Sequence, residues 1–344
     1  MDPAKRLLEW YDAKRRDLPW RKTTAWYPVW VSEIMLQQTR VETVVSAYEV
    51  FLERFPSVGA LAAAPIESVL AVWSGLGYYR RARLLHQAAL RVVAQESFPT
   101  EVDGLRALPG IGEYTASAIA SICFGVATPV LDGNVERVIS RRLASADDPK
   151  RAATRDGLRA AAASLLDPAR PGDSNQALME LGATICTPRA PRCSVCPLGE
   201  GCQGLTSGSP TNYPPARVRR VTERQSRVAA IVNRDSRILL VRLPDSSPTL
   251  GGTWEIPWVA AEASQSAAEF AERYGGKWSL GPSRGTVKHA ITYRAIEVDV
   301  REAFLEGGDH VAEGIEAGWF DRAGLGRVPH SSLVEKILRR AASS

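Results

Sequence analysis

The sequence predicts two domains, an all-α domain over residues 1–205 and an α+β domain over 227–344, joined by a linker at 206–226. A chain of 344 residues is longer than one ordinary hydrophobic core supports. From 1 to 186, apolar residues recur at spacings of three and four between proline and glycine breakers, which predicts nine or ten helices and no strand. Beyond 226 the period shifts towards two, which predicts strands at 226–234, 237–243 and 291–300 and helices at 261–274 and 330–342.

Composition narrows the class of protein. With 45% hydrophobic and 24% charged residues, the composition is typical of a soluble globular protein. It excludes a wholly disordered chain, a collagen and a coiled coil. The N-terminus lacks a basic-then-apolar signal, and the uncharged run 114–131 is interpreted as a buried helix and a loop rather than a membrane span. We therefore expect a cytoplasmic protein without membrane contact. The net charge of +5 permits binding to nucleic acid but does not require it.

Four of the five cysteines lie in one short loop with the spacing C-x6-C-x2-C-x5-C: Cys186, Cys193, Cys196 and Cys202. Outside an oxidising compartment, such a cluster is typical of a metal site rather than of disulfides. Zinc is one alternative, although structural zinc usually takes two separated pairs of ligands. A single irregular loop suits a [4Fe-4S] cluster better. The fifth cysteine, Cys123, is expected to be a buried structural thiol.

A glycine turn, Leu108-Pro109-Gly110-Ile111-Gly112, separates two helical patterns. Its glycines let a partner approach the backbone, and its N–H groups suit a phosphate, although such a turn alone is more often only a tight connection between helices. Twenty residues further on, Asp132 is expected at the start of the next helix, where its default role is an N-cap.

One acidic residue is placed where burial would change its chemistry. Glu33 lies between Val31 and the apolar run Ile34-Met35-Leu36. Burial would raise its pKa and make it an acid near neutral pH, whereas the alternative is an exposed glutamate on a solvated helix face.

These motifs together resemble the helix–hairpin–helix DNA glycosylases of the endonuclease III superfamily. Within that superfamily, five segments resemble the adenine DNA glycosylase (MutY-type) family: DLPWR (17–21), VWVSEIMLQQTRVETV (29–44), WSGLGYYRRARLLH (73–86), GIGEYTASAI (110–119) and ELGATIC (180–186). The resemblance implies a helix–hairpin–helix domain with a [4Fe-4S] loop, followed by a C-terminal Nudix-like domain. The match covers nearly the whole chain and is weaker in the C-terminal part.

By this resemblance, the substrate is adenine flipped out of a duplex in which it faces 8-oxoguanine or guanine. Glu33 would protonate N7 of adenine, and Asp132 would stabilise positive charge at C1′ of the sugar, with Tyr114 and Asn134 assisting. Relatives that also cleave the strand carry a lysine where this chain has Tyr114, and a phenol cannot form a Schiff base. The resemblance therefore implies a monofunctional glycosylase that leaves an abasic site.

The resemblance also assigns residues to base and DNA recognition. Arg21 and Glu180 would form hydrogen bonds with the edge of adenine. Without the resemblance, they would be interpreted as a surface arginine and a solvated helical glutamate. Gln38 would fill the space left by the flipped base, and Tyr78 would insert beside the opposite base. The further DNA contacts are Thr39, Leu76, Gly110 and Gly112.

In the C-terminal domain, TWEIPW (253–258) and the region 284–300 resemble a Nudix-like domain that recognises 8-oxoguanine. The segment 263–276 lacks the carboxylate pattern of a Nudix hydrolase, so the domain is interpreted as a binding module. The family's recognition loop is typically His-x-Phe-Ser-His, and here it is His289-Ala290-Ile291-Thr292-Tyr293. By the resemblance, Thr292 keeps the hydroxyl that would bond 8-oxoguanine, whereas Ile291 and Tyr293 depart from the family's pattern. The alternative is that 289–293 is a simple sheet edge.

The leading hypothesis is a monomeric, nucleoid-associated adenine DNA glycosylase of bacterial type that acts on double-stranded DNA. One alternative is a thymine-mismatch or oxidised-pyrimidine glycosylase, against which Tyr114, Glu180 and the extra domain argue. The other is a non-catalytic iron–sulfur protein that binds damaged DNA, against which the pair Glu33 and Asp132 argues.

Overall fold

The structure is a computed structural model that describes residues 2–216, 221–244, 247, 250–261, 267–291, 293–306, 312 and 314–342. The chain folds into two compact units, one made of Met1–Ala62 and Gln87–Val218 and the other of Ala63–His86 and Arg219–Ser344. No helix in the described ranges has the length and apolar character needed to cross a bilayer.

Residues 2–216 form helices and turns, and no strand is found among them. Eleven α-helices begin before residue 186, more than the nine or ten expected, because several short helices fit between neighbouring breakers. The helices are α1 Pro3–Lys14, α2 Trp26–Leu36, α3 Val41–Arg54, α4 Val58–Ala63, α5 Ile66–Val72, α6 Arg80–Ala94, α7 Val102–Arg106, α8 Glu113–Phe124, α9 Gly133–Arg142, α10 Ala152–Ala163, α11 Pro171–Thr184 and α12 Gln203–Thr206.

The core of the first unit forms around α9 and α11. Their apolar faces pack with α1 and with Ala118 of α8, so that Leu7, Val135 and Leu181 are fully buried. Helix α2 is buried on most of its surface, which explains its apolar sequence on all sides. These helices fix the positions of the acidic residues described below.

The glycine turn lies between α7 and α8, as expected. Gly110 has φ of +79°, a left-handed conformation that favours glycine. Gly112 is the N-cap of α8, and a Cβ placed on it would meet nothing within 4 Å. The turn is therefore open to a partner on this side.

The second unit contains a mixed sheet with the strand order β3-β2-β1-β6-β5, in which β1 and β6 are parallel and the other pairs are antiparallel. Strand β4 also pairs with β1, and β7 with β2. The elements are β1 Glu223–Arg234, β2 Arg237–Arg242, β3 Trp254–Glu255, β4 Trp258–Ala260, α13 Ala267–Tyr274, β5 Lys277–Ile291, β6 Arg294–Glu306, β7 Ala317–Phe320, α14 Arg322–Leu325 and α15 Ser332–Ala342.

The period of two in β1 divides its side chains between two cores. Ala229 and Ile231 pack with residues of α15, whereas Val228, Ala230 and Val232 pack with Phe270 and Tyr274 of α13. The sheet is therefore covered by a helix on each face. Strand β1 begins at Glu223, inside the segment expected to be a linker, and the segment 63–86 is grouped with this unit.

Candidate active site

Glu33 lies in the buried part of α2 and lines a cavity of about 200 Å³. The cavity is smaller than the roughly 300–1,000 Å³ typical of sites for drug-sized ligands. Other polar residues at its wall are Arg16, Arg21, Ser32, Thr39, Tyr114, Asp132, Asn134, Gln176 and Glu180. Apolar side chains such as Trp20 and Met179 complete the wall, so the cavity suits a partly apolar ligand with several hydrogen-bonding groups.

The environment of Glu33 favours its protonated form. Only 5% of the residue is exposed, and its Oε2 atom has no hydrogen-bond partner among the residues that the structure describes. Burial, together with the negative charge of Asp132, raises the pKa of Glu33 to about 7, against the lowering effects of the Tyr114 hydroxyl and of Arg21. The side chain can therefore hold a transferable proton near neutral pH.

Tyr114 lies in the first turn of α8 and faces the same cavity. Its hydroxyl donates to Met179 Sδ at 3.1 Å. Burial raises its pKa well above the ordinary value, and the charges of Glu33 and Asp132 add to this effect. The phenol therefore stays neutral and contributes a hydrogen bond, not a charge.

Asp132 is the N-cap of α9. Its Oδ1 accepts from the backbone N–H groups of Asn134 at 3.0 Å and Val135 at 2.8 Å, and its Oδ2 accepts from Asn134 Nδ2 at 3.0 Å. Burial raises the pKa of Asp132, and these hydrogen bonds act against the rise. The capping role expected by default is present, and the same carboxyl also faces the cavity.

Glu180 is the centre of an ion-pair network with two arginines. Arg16 donates through Nε to Oε1 and through Nη2 to Oε2, both at 2.8 Å, and Arg21 Nη2 donates to Oε2 at 2.8 Å. Burial acts to raise the pKa of Glu180, but the two guanidinium groups outweigh it and lower the pKa to about 2. Glu180 is thus ionised near neutral pH and forms a fixed part of the cavity wall.

Sequence reasoning did not identify Arg16. Nothing in the segment 13–17 distinguishes it from neighbouring basic residues, and its partner lies 164 positions away. Met179, which accepts the Tyr114 hydrogen bond, was likewise not identified, because a methionine within a helical pattern is usually core.

A chain of polar contacts leads from Asp132 towards the cysteine loop. Asn134 Oδ1 accepts from Arg137 Nη2 at 2.9 Å, and the same guanidinium donates to the carbonyls of Gly182 at 2.8 Å and Cys186 at 2.7 Å. Gly182 permits this packing, because a Cβ on it would lie 2.6 Å from the Asn134 side chain. Arg137 therefore connects the carboxyl at α9 with the first cysteine.

The cysteine loop is anchored by Arg141, which is almost fully buried. Its Nη1 donates to Cys186 Sγ at 3.3 Å and to the Thr187 carbonyl at 2.7 Å, and its own carbonyl accepts from Cys202 Sγ. Burial raises the pKa of Cys196 to about 11, and the charges of the other three thiols add to the rise. The thiols are thus in electrostatic range of each other, although no three potential ligands form a metal-binding group in the ranges described.

The donor set fits a thiolate-bound metal centre in its chemistry. The loop contains successive tight turns, in which Cys196 N donates to Cys193 O at 3.2 Å and Cys202 N to Gly199 O at 3.1 Å. A guanidinium beside Cys186 would stabilise negative charge on its sulfur.

Comparison with known proteins agrees with this architecture. Residues 31–162 match the family described as HhH-GPD superfamily base excision DNA repair protein, and residues 227–340 match the NUDIX domain family. An adenine DNA glycosylase from Mycolicibacterium smegmatis is 41% identical over 76% of this chain and 87% of its own length. The chain belongs to the adenine DNA glycosylase family. The predicted fold class, a helix–hairpin–helix glycosylase domain followed by a Nudix-like domain, is confirmed.

A second adenine DNA glycosylase and one solved structure were also compared with this chain. The adenine DNA glycosylase from Homo sapiens is 37% identical over 88% of this chain, which spans 66% of the human protein, slightly less than two thirds. Among solved structures, a thermostable thymine-DNA glycosylase matches with a TM-score of 0.55 and 26% identity, covering 59% of this chain and 95% of its own. The helical fold is therefore shared with a thymine-DNA glycosylase.

The structure brings many of the family's predicted site residues to one cavity: Arg21, Glu33, Thr39, Tyr114, Asp132, Asn134 and Glu180. Gln38 lies outside its wall, exposed at the turn after α2 with φ of +59°. Gly110 and Gly112 form the separate turn described above.

Leu76 and Tyr78 lie in the segment 63–86 of the second unit. Leu76 is buried, whereas 44% of Tyr78 is exposed and its φ is +50°. Arg81 donates to the carbonyls of Leu76 and Gly77 at 3.2 Å and packs 5.5 Å from the Tyr78 ring. The turn thus presents one aromatic ring to solvent while Trp73 and Tyr79 are core.

The predicted recognition loop of this family lies at the hairpin between β5 and β6. Ile291 ends β5 and is paired with Arg294, and Arg294 packs 5.2 Å from the Tyr293 ring. Thr292 lies outside the described residues. Because β5 ends the strand order of the sheet, the loop is also at a sheet edge, as the alternative interpretation expected.

Proposed function

We propose that this protein removes adenine from mispaired double-stranded DNA by hydrolysis of the N-glycosidic bond. The observation that carries the proposal is the presence of Glu33 and Asp132 in one cavity, the first with a pKa of about 7 and the second fixed as an N-cap. Cleavage requires a proton for the leaving base and negative charge near the sugar, and these two carboxyl groups supply both.

In the proposed mechanism, the extruded adenine occupies the cavity with N7 facing Glu33. Proton transfer from Glu33 makes the base a neutral leaving group as positive charge develops at C1′. Asp132 stabilises that charge, and the hydroxyl of Tyr114 and the amide of Asn134 orient the two carboxyl groups. Glu33, now ionised, then accepts a proton from the attacking water.

Recognition of adenine is assigned to the network of Arg16, Arg21 and Glu180. Guanidinium N–H groups donate to ring-nitrogen acceptors, and the carboxylate accepts from the exocyclic amino group. Glu180 already accepts from both arginines, so the two guanidinium groups fix the orientation of the carboxylate that faces the base.

We assign recognition of 8-oxoguanine opposite adenine to the C-terminal unit, with Ile291, Thr292 and Tyr293 at the hairpin. The match of 227–340 to the NUDIX domain family supports this assignment. The DNA contacts are proposed at Gln38, Thr39, Leu76 and Tyr78 and at the turn containing Gly110 and Gly112, whose open backbone suits a phosphate. The protein is proposed to act as a monomer in the cytoplasm.

Strand scission tests the reaction and separates it from the alternatives. Duplexes carrying A:8-oxoguanine, T:G or thymine glycol are incubated with the protein, with and without subsequent hot alkali. We expect cutting of the adenine-containing strand, only after alkali, because Tyr114 cannot form an imine. Cutting of the thymine substrates would favour the pyrimidine glycosylase that the thymine-DNA glycosylase fold suggests. Binding without any cutting would favour a damage-binding protein, and nicking without alkali would contradict the monofunctional assignment.

We further propose that Cys186, Cys193, Cys196 and Cys202 hold a [4Fe-4S] cluster. When bound, the cluster would supply a fixed charge centre that orders the loop, and Arg141 would hold the loop through Cys186 and Cys202. No step of the glycosylase reaction depends on it.

Replacing Cys196 with serine is expected to remove the iron and the visible absorbance of the purified protein, and to weaken duplex binding by disordering the loop. The control is Cys123→Ser, which changes a half-buried thiol in α8 and should retain a full complement of iron. Metal analysis that finds zinc in the unaltered protein would show the cluster assignment to be wrong.

A further inference from the structure

The turn that presents Tyr78 is built into the same compact unit as the C-terminal sheet. Within the described part of the chain, side chains of the segment 63–86 donate hydrogen bonds to backbone carbonyls of the C-terminal residues. The Tyr79 hydroxyl donates to the His330 carbonyl, and Arg83 Nη2 donates to the Gly251 carbonyl at 3.4 Å. Only 4% of Tyr79 and 7% of His330 are exposed, so the first of these bonds is shielded from water.

From His330, a continuous set of contacts leads to the hairpin between β5 and β6. The His330 ring lies 3.2 Å from Glu335 of α15. Lys336 of the same helix lies 3.4 Å from both the Lys288 carbonyl and His289 Nδ1. Helix α15 also shares a hydrophobic core with β5, in which Leu333 and Ile337 belong to the same cluster as Val287 and Ile291. Helix α15 therefore touches the Tyr79 contact at one end and strand β5 along its length.

We propose that Tyr79 is a positioning residue that couples the Tyr78 turn to the 289–293 hairpin through α15. The inference rests on the proposed function, because it assumes that Tyr78 inserts beside the base opposite adenine and that the hairpin reads that base. Coupling of this kind makes insertion of Tyr78 more favourable when the hairpin has engaged 8-oxoguanine, and by reciprocity strengthens the hairpin contact when Tyr78 has inserted. Tyr79 thus contributes to selectivity without touching DNA.

The test is Tyr79→Phe, which removes one hydroxyl and keeps the buried ring. The control is Tyr274→Phe in the same unit, because the buried Tyr274 hydroxyl also donates to a backbone carbonyl, that of Trp258. Tyr274 packs on the face of the sheet opposite to α15. The measurement is the ratio of single-turnover excision rates for A:8-oxoguanine and A:G duplexes. We expect Tyr79→Phe to lower the ratio by roughly 2- to 10-fold, the equivalent of one hydrogen bond, and Tyr274→Phe to leave it unchanged. Equal losses on both duplexes, or equal ratios in both variants, would overturn the proposal.

A double-mutant cycle with Ile291→Ala separates coupling from mere loss of stability. If Tyr79 acts through the hairpin, Ile291→Ala lowers the ratio less in the Tyr79→Phe background than in the unaltered protein. In the Tyr274→Phe background it lowers the ratio by its full amount. Strict additivity with Tyr79→Phe would contradict the coupling.

Affinity measurements distinguish failure of this inference from failure of the proposed activity. Fluorescence anisotropy gives the binding ratio for 8-oxoguanine- and guanine-containing duplexes in the same variants without turnover. A reduced binding ratio in Tyr79→Phe supports the coupling even if no adenine is released. A binding ratio of one in the unaltered protein would overturn both the recognition role of the hairpin and the coupling.

Discussion

Replacing Glu33 with glutamine is expected to abolish adenine excision while leaving affinity for the mispaired duplex nearly unchanged. Glutamine has almost the same shape and fits the buried site, but it has no transferable proton. General acid catalysis typically contributes about 10²- to 10⁴-fold to a rate, so the single-turnover rate should fall by at least that factor. Gel-shift titration and single-turnover excision on the same duplex measure the two properties separately.

The matched control is Glu255→Gln in the C-terminal unit. Glu255 is also 5% exposed, and burial also raises its pKa, but its carboxylate accepts from Trp258 Nε1 rather than lining the cavity. This variant should retain the excision rate on A:G duplexes. Joint loss of binding and excision in Glu33→Gln would indicate misfolding, and full activity in Glu33→Gln would remove the residue from the mechanism.

The same carboxyl should determine the pH profile of the reaction. Because the active form of Glu33 is protonated and its pKa is about 7, the excision rate should fall by about tenfold per unit as the pH rises beyond 7. For stability the sign follows from the raised pKa. The contribution of Glu33 protonation to the free energy of unfolding is fully present below the ordinary pKa of 4.5 and is lost as the pH rises through about 7. Glu180, with a pKa of about 2, stays ionised over this range and contributes no such slope.

The sequence predicted the location of the site better than its internal contacts. Apolar neighbours on both sides of Glu33 favour burial of its carboxyl, with an exposed glutamate as the alternative, and the structure shows a helix buried on most faces. Asp132 illustrates a different case, since a capping pattern predicts the position of the residue but does not show where the second oxygen points. The cavity that joins the two carboxyls depends on packing of α2, α8, α9 and α11, which no local pattern specifies.

Contacts between distant parts of the chain were not predictable from periodicity. In sequence, Arg16 and Arg137 resemble other basic residues on solvated helix faces. Arg16, however, makes several hydrogen bonds to the buried Glu180, and Arg137 donates to the carbonyl of the buried Gly182. The assignment of the segment 63–86 to the C-terminal unit was also missed, because its helical pattern is the same as that of the helices before and after it. One contact that joins this segment to the C-terminal residues is the hydrogen bond from the Tyr79 hydroxyl, whose partner lies 251 positions away.

Replacing Asp132 with asparagine is expected to remove most of the activity while retaining the start of α9. Asparagine is as good an N-cap as aspartate, so its carbonyl oxygen can still accept from the N–H groups of Asn134 and Val135. Its amide loses the hydrogen bond from Asn134 Nδ2, at a cost of about 1 kcal/mol. The charge near C1′ disappears, and loss of such electrostatic stabilisation lowers rates by roughly 10²- to 10³-fold.

A control variant and a pH profile separate the charge of Asp132 from its role as a helix cap. Asp321 caps α14 through Gly324 N, and Asp321→Asn should change the thermal stability by a similar small amount without changing excision. Because the charge of Asp132 helps to raise the pKa of Glu33, the residual activity of Asp132→Asn should begin to fall at a lower pH than that of the unaltered protein. An unchanged pH profile would show that the two carboxyls do not interact across the cavity. A rate within a few-fold of the unaltered protein would show that the helix cap is the whole function of Asp132.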